Sequence, residues 1–205
     1  LTVSPSSAAR PSRSAQSGDS PAAAWLFFKR WLADPWAMGS IAPSSASLRR
    51  VIGKNIIRNP DQLVVEFGGG TGAVTRAILE AGVPADKLVS FEIDGELAGY
   101  LGERYPDITV YKEDCRKAAA LLGAEQTGKV GTVVIGIPMI TFPLDFQREV
   151  IEATFSILQP GGRFLLYTFM PHSPLNRAAL GLQGKRLGFT PLNLPPASVW
   201  GYWRG

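Results

Sequence analysis

Two rhythms of apolar and polar positions divide the 205-residue chain. From Gln62 onward, short continuous apolar runs trade places with segments of helical period. QLVVEF (62–67) predicts a buried strand, TGAVTRAILEAG (71–82) a helix ending at Gly82, and KLVSFEID (87–94) a second strand. A helix over 95–105, a strand over 107–114, a short helix over 115–123 and a strand over 129–137 follow in the same order. DFQREVIEATFSIL (145–158) predicts a helix stopped by Gln159-Pro160-Gly161-Gly162, and RFLLYTF (163–169) a fifth strand. A turn-rich segment with a helix from Leu175 to Gly184 is expected next, then a closing hairpin around Pro195-Pro196. Strands that alternate with helices imply a mainly parallel sheet covered on both faces.

The first 60 residues behave differently. Residues 1–21 hold seven serines and no apolar period, and predict a disordered tail. AAAWLFFKRWLADPW (22–36) predicts an amphipathic helix. Trp25, Phe27, Phe28, Trp31 and Leu32 share one side, and Lys29, Arg30, Ala33 and Asp34 the other. Three of the five tryptophans fall in this stretch. Indole rings beside cationic side chains suit a membrane interface with anionic headgroups, although docking on the protein's own core gives the same pattern. Pro43-Ser44-Ser45 supplies a helix start for residues 45–57, with a serine as N-cap. The division is therefore a tail (1–21), amphipathic helices (22–60) and an α/β domain (61–205).

Composition narrows the possibilities. Hydrophobic residues at 45% exclude wholesale disorder. One cysteine, Cys115, excludes an internal disulfide framework and a cysteine zinc site. The most apolar stretch, Val130 to Leu144, is too short for a membrane span and is broken by glycines and prolines. The net charge of +4 conceals a pattern. Residues 1–60 carry eight Lys/Arg against two acids, residues 61–159 eight against fifteen, and residues 160–205 five against none. An acidic middle between basic ends suggests a positive surface aimed at an anionic partner.

The candidate chemistry begins at VVEFGGGTGAVT. Gly68, Gly70 and Gly72 make a G-x-G-x-G loop at a strand-to-helix turn, with Thr71 inside it. The backbone there must bend sharply and approach a ligand closely. Gly68 to Ala73 also fits the dinucleotide pattern G-x-G-x-x-A. Three acids favour S-adenosylmethionine. Glu66, two residues before the first glycine, suits a cofactor α-amino group, for which a pyrophosphate has no use. Glu92, ending the second strand, suits ribose hydroxyls. Asp114, ending the third, can accept from the adenine amine while Cys115 offers its backbone N–H. Ligands of such sheets bind beyond the carboxyl ends of the strands, where all three acids fall.

On these residues the chain resembles class I S-adenosylmethionine-dependent methyltransferases over about 62–205. The resemblance implies a Rossmann-like, seven-stranded, mostly parallel sheet with the last strand antiparallel. It extends the cofactor contacts to Ile93, Ile135 and Gly136. After the fourth strand, adenine-amino methyltransferases usually carry Asn/Asp-Pro-Pro-Tyr or Asn-Leu-Pro-Tyr. This chain has Gly136-Ile137-Pro138-Met139, which lacks both the hydrogen-bonding side chain and the stacking ring. FFKRWLADPWAMGSIAPSSASL, EFGGGTG, GIPMITFP, QPGGRFLLYTFMPHSPL and VWGYWR together resemble bacterial phospholipid N-methyltransferases over about 25–205. Gly69 stands where the superfamily often has proline, and Gly131-Thr132 where an acid often starts the fourth strand.

That resemblance implies stepwise methylation of phosphatidylethanolamine toward phosphatidylcholine. It also implies a cytoplasmic monomer bound peripherally to the inner face of the cell membrane, with anionic lipid as partner and neither nucleic acid nor metal required. Trp25, Phe28, Lys29, Arg30, Trp31, Ser44 and Ser45 become membrane or substrate candidates, and Arg177, Lys185 and Arg186 candidates for the lipid phosphate. The reaction places a neutral amine in line with a sulfonium methyl. Tyr167, the Gly136 carbonyl or a water can orient the amine after its proton leaves, and His172, the lone histidine, is a candidate base. Rival readings are an RNA adenine dimethylase-like or other nucleobase methyltransferase, using the basic ends on phosphates, and a non-catalytic binding module.

Overall fold

The computed structural model describes residues 46–205 apart from Leu192 and Leu194. The expectations on residues 1–45, including Trp25, Phe28, Lys29, Arg30, Trp31, Ser44 and Ser45, lie outside the described residues.

Among the described residues seven strands form one sheet in the order β3-β2-β1-β4-β5-β7-β6. They are β1 (Val64–Phe67), β2 (Leu88–Phe91), β3 (Thr109–Tyr111), β4 (Val130–Ile135), β5 (Leu158–Thr168), β6 (Gln183–Thr190) and β7 (Ala197–Trp203). The first five are parallel, and β7 runs antiparallel to both neighbours, as the sequence predicts. Side chains are buried on both sheet faces, and every position of β1, β2 and β4 is inside.

Among the described residues five α-helices cover the sheet: α1 (Ala46–Lys54), α2 (Ala73–Glu80), α3 (Gly95–Arg104), α4 (Ala118–Leu122) and α5 (Leu144–Ile157). Alternate residues of each strand feed two cores. Val65, Phe67, Val133, Ile135, Phe164 and Leu166 pack with α5 side chains Val150 and Ile151 on one face. Val64, Leu88, Val134, Leu165 and Val199 pack with Leu48 and Ile52 of α1 and with Val74 and Ile78 of α2 on the other.

Three sequence expectations are corrected. The helix over 45–57 stops at Lys54, because Ile57 leaves the helix to bond Thr132 at the start of β4. Its N–H donates to Thr132 Oγ1 at 2.9 Å, and that hydroxyl donates to the Ile57 carbonyl at 2.6 Å. Gln159–Gly162 ends α5 but also lies inside β5. Leu158 pairs with Val130 and Arg163 with Thr132, so residues 159–162 bulge out between them, with Gly161 at φ +70°. No helix spans 175–184. The segment is a series of turns that buries Leu175, Leu180 and Leu182 singly in the α5-side core, and β6 takes the chain from Gln183.

Candidate active site

The sheet order reverses direction between β1 and β4, and the crevice opens at the carboxyl ends of these two strands. Its floor is backbone. The Gly68 N–H donates to the Phe91 carbonyl and the Gly136 N–H to the Phe67 carbonyl, both at 2.8 Å. The two loops touch. A Cβ on Gly136 would stand 2.6 Å from the Gly68 carbonyl oxygen, and one on Gly68 2.9 Å from Ile137. Gly68 and Gly72 both adopt φ +83°, which side chains with a Cβ rarely adopt. Glycine is therefore required at these positions by contact and by conformation.

Gly68, Glu92, Ile93, Asp114 and Cys115 line one cleft, together with Phe91, Ile137, Phe142, Phe146 and Arg116. It holds roughly 670 Å³ of empty space, part of it open to solvent, a size usual for small-molecule sites. Glu92 is almost wholly buried. Its Oε2 accepts from the Gly70 N–H and its Oε1 from the Asp94 N–H, both at 2.8 Å. Burial raises its pKa above the ordinary value, and those two backbone donors offset part of the rise. Each oxygen keeps a lone pair, as a ribose diol requires. Asp114 is held by Arg116, whose Nη2 lies 2.6 Å from Oδ2. Burial pushes this carboxyl up, but the Arg116 hydrogen bonds outweigh it and hold the group below its usual range. Arg116 also pairs with Glu149 and stacks over the Phe146 ring at 5.0 Å. Cys115 is buried and its thiol is pushed well up, so it serves as packing and backbone rather than as a nucleophile.

Glu66 does not line this cleft. It lies beneath the glycine loop, fully buried. Oε2 accepts from the Thr75 hydroxyl at 2.6 Å and from the Ser90 hydroxyl at 2.9 Å, while Oε1 has no partner among the described residues. Burial is the main reason its pKa rises to about 7, with the two hydroxyls pulling the other way. An orphan buried carboxylate oxygen under a loop built for close approach fits a cationic, amine-bearing ligand, because an incoming charge would favour ionisation. Ser90 sits opposite Glu66 in the β1–β2 register, and Thr75 opens α2. Neither stands out in sequence; a lone serine in LVSF was the available signal.

Phe142 and Phe146 were also missed. Their rings stack at 4.5 Å and wall the cleft. The signal was the aromatic pair flanking Pro143, spaced so that the start of α5 presents both.

The remaining expected residues are dispersed. Thr71 is exposed on the loop, and Ile135 is fully buried in the core below the crevice. Tyr167 lies one residue beyond the last β4–β5 pair, Ile135 with Leu166, level with Gly136. Its phenol is pushed up to about 12 by burial and, second, by the Glu66 carboxylate nearby. It therefore stays protonated at neutral pH and can orient a group but not take a proton. His172 is exposed in the loop after β5, with Nδ1 3.2 Å from the Ser173 carbonyl.

The phosphate-binding expectation is corrected for two cations. Lys185 lies near the start of β6, and its groove includes Gly131, Gly161, Gly162 and Trp203 at the amino ends of the strands, opposite the cleft. Arg177 bonds the Gly184 carbonyl beside that end. Arg186 stands midway on the edge strand β6, over Phe189. Among the described residues no three His, Cys, Asp or Glu side chains gather as a metal site, and no helix is long and apolar enough to cross a membrane.

Comparison with known proteins fits this geometry. Residues 31–139 match the family model described as ribosomal RNA adenine dimethylase. The chain is 30% identical to the ornithine lipid N-methyltransferase of Singulisphaera acidiphila over 179 residues, which cover 86% of this chain and 93% of that protein. It is 32% identical to ribosomal RNA small subunit methyltransferase A of Streptomyces avermitilis over 123 residues, but the match covers 55% of this chain and 40% of that enzyme. Among solved structures, the Burkholderia thailandensis 1,6-didemethyltoxoflavin-N1-methyltransferase with bound S-adenosylhomocysteine superposes with a TM-score of 0.61 at 14% identity. That match covers 90% of this chain and 89% of the other, and it shows the shared fold.

Proposed function

Because the chain belongs to the class I S-adenosylmethionine-dependent methyltransferases, in the family described as ribosomal RNA adenine dimethylase, we propose that it methylates a lipid-borne amine, with phosphatidylethanolamine as acceptor. The observation that carries this reading is the loop after β4. An adenine acceptor needs a hydrogen-bonding side chain at the first position and a ring at the fourth. Position 136 is a glycine with no room for a Cβ, and Met139 is buried in the core. The relative matched over nearly its whole length is named for a lipid, whereas the ribosomal RNA enzyme is matched over less than half of its own.

S-Adenosylmethionine, when bound, supplies an electrophilic methyl on a sulfonium. Asp114 and the Phe142–Phe146 wall would hold the adenine side, Glu92 the ribose, and the Gly68–Gly72 backbone the amino acid end. The chain's task toward the acceptor is positioning. An amine enters as an ammonium at neutral pH and must lose a proton before attack. Gly136 and Tyr167 lie at one level of the sheet, with the Tyr167 ring packed against the core that α1 and α2 cover; the Gly136 carbonyl and the neutral Tyr167 hydroxyl are the proposed acceptors of a hydrogen bond from the amine. His172, in the exit loop of β5, is the proposed proton acceptor, and its exposure lets the proton pass to solvent. The protein works at the inner face of the membrane, with residues 22–36 holding anionic lipid.

The test supplies the cofactor, vesicles of phosphatidylethanolamine with phosphatidylglycerol, and ribosomal RNA, and follows both lipid and RNA by mass spectrometry. Successive methyl additions on the ethanolamine nitrogen support the reading. Unmodified lipid beside methylated RNA defeats it.

A further inference from the structure

Large apolar side chains are not scattered evenly over the surface. Seven are exposed among the described residues, and five of them stand at the carboxyl ends of the strands: Ile93, Ile140, Leu144, Met170 and Phe189. Ile93 belongs to the cofactor cleft. The rest stand at the same end of the sheet, spread from β4 to β6. Ile140 (46% exposed) follows β4 and Met170 (40%) follows β5. Phe189 (50%) is placed at this end by register: it pairs with Ser198, which pairs with Thr168 at the end of β5. At about 4.8 Å between strands, β4 to β6 spans about 14 Å. The apolar positions thus form a broad strip, and single exposed apolar residues would need no such explanation.

Charge divides the mouth along the same line. Asp94, Glu96, Glu113 and Asp114 follow β2 and β3, on the adenosine side. Residues 135–144 are uncharged, Asp145 after Leu144 pairs with Arg148, and residues 158–205 hold no acidic side chain. Arg186 lies over Phe189 at 5.7 Å, and His172 is two residues from Met170. An apolar surface with a cation, Arg186, at its β6 edge and no acidic side chain in residues 158–205 fits the boundary between anionic headgroups and acyl chains.

We infer that Ile140, Met170 and Phe189 form a membrane-docking strip that seats the cleft mouth on the lipid surface, so that an acceptor amine enters while its acyl chains stay in the bilayer. This rests on the reading of the acceptor as a lipid. It adds a surface within the α/β body, separate from residues 22–36.

The experiment uses the full chain with Ile140→Ser, Met170→Ser and Phe189→Ser combined. A control, Ile57→Ser, removes an equally exposed apolar side chain at the opposite end of the sheet. All three target side chains are exposed, so melting temperature and cofactor affinity should match the parent protein. Co-sedimentation with phosphatidylethanolamine–phosphatidylglycerol vesicles should weaken about tenfold or more in the triple variant, given the apolar area withdrawn from contact, and should not change in the control. Methyl transfer to vesicles should fall with it, while transfer to the same lipid dispersed in detergent persists. Equal vesicle binding by the triple variant and the parent, or equal loss in the control, overturns the strip. A parent protein that methylates lipid in neither form overturns the lipid reading itself, a different result from an active parent with an unaffected variant.

Discussion

Gly136 and Glu66 show how much chemistry depends on single atoms in this protein. Gly136→Ala would set a Cβ 2.6 Å from a backbone oxygen of the facing loop, where no flexible side chain can yield. We predict a loss of about 1–3 kcal/mol in stability, with weakened S-adenosylmethionine binding by calorimetry; parental affinity would show that the loop contact is not needed. Glu66 carries a pH signature. Its carboxyl titrates near 4.5 when unfolded and about 7 when folded, so between these values the folded state holds a proton the unfolded chain has released. Stability of the cofactor-free protein must therefore fall as pH rises from about 4.5 to 7, by about 3 kcal/mol in all. Glu66→Gln should flatten most of that slope in thermal melts at stepped pH, leaving the smaller part that Glu92 adds in the same direction. An unchanged slope would place the titration elsewhere. At this scale the sequence revealed Glu92 and Asp114 in the cleft, because strand ends are visible as the close of apolar runs. It did not reveal that Glu66 turns under the loop, because that depends on Ser90 lying beside it across a register no single strand encodes.

At the scale of elements, the alternating core was legible and its joins were not. Every strand from β1 to β5 was foreseen because a doubly covered sheet writes itself as bare apolar runs. The ends were shorter than the runs, as Thr109–Tyr111 shows against the expected 107–114. The β5 bulge was invisible because Pro160-Gly161-Gly162 reads only as a stop, whereas Leu158 pairs with Val130 before it and Arg163 with Thr132 after it. The expected helix over 175–184 failed because its leucines bury at separate turns. Thr132 gives a test of the joins. It clamps the segment after α1 through two hydrogen bonds to Ile57. Thr132→Val should lower stability by about 1–3 kcal/mol, read as an earlier urea midpoint, with cofactor affinity retained. A midpoint equal to the parent's would show that α1 is held by its packing and the Arg49–Glu80 pair without this clamp.

For the whole molecule, the basic and acidic blocks acquire direction from the fold. Two of the carboxyl-terminal cations, Arg177 and Lys185, do not overhang the cleft, because β6 starts at the opposite end of the sheet. What does face the cleft mouth from that half is an apolar, carboxylate-free surface with Arg186 beside it. The acidic middle holds Glu92 and Asp114 at the cleft and Glu66 beneath the loop, which suits a cofactor carrying a sulfonium and an ammonium. The molecule is therefore polarised across its mouth, acidic side chains on one side and apolar ones on the other, as the proposed cofactor and lipid acceptor require. The most direct test of this account is a competition. One reaction holds the protein, methyl-labelled S-adenosylmethionine, phosphatidylethanolamine–phosphatidylglycerol vesicles and ribosomal RNA, and the lipid and RNA are separated afterwards. The account predicts label in the ethanolamine headgroup and none in RNA. Label in adenine with an unlabelled lipid phase would contradict it.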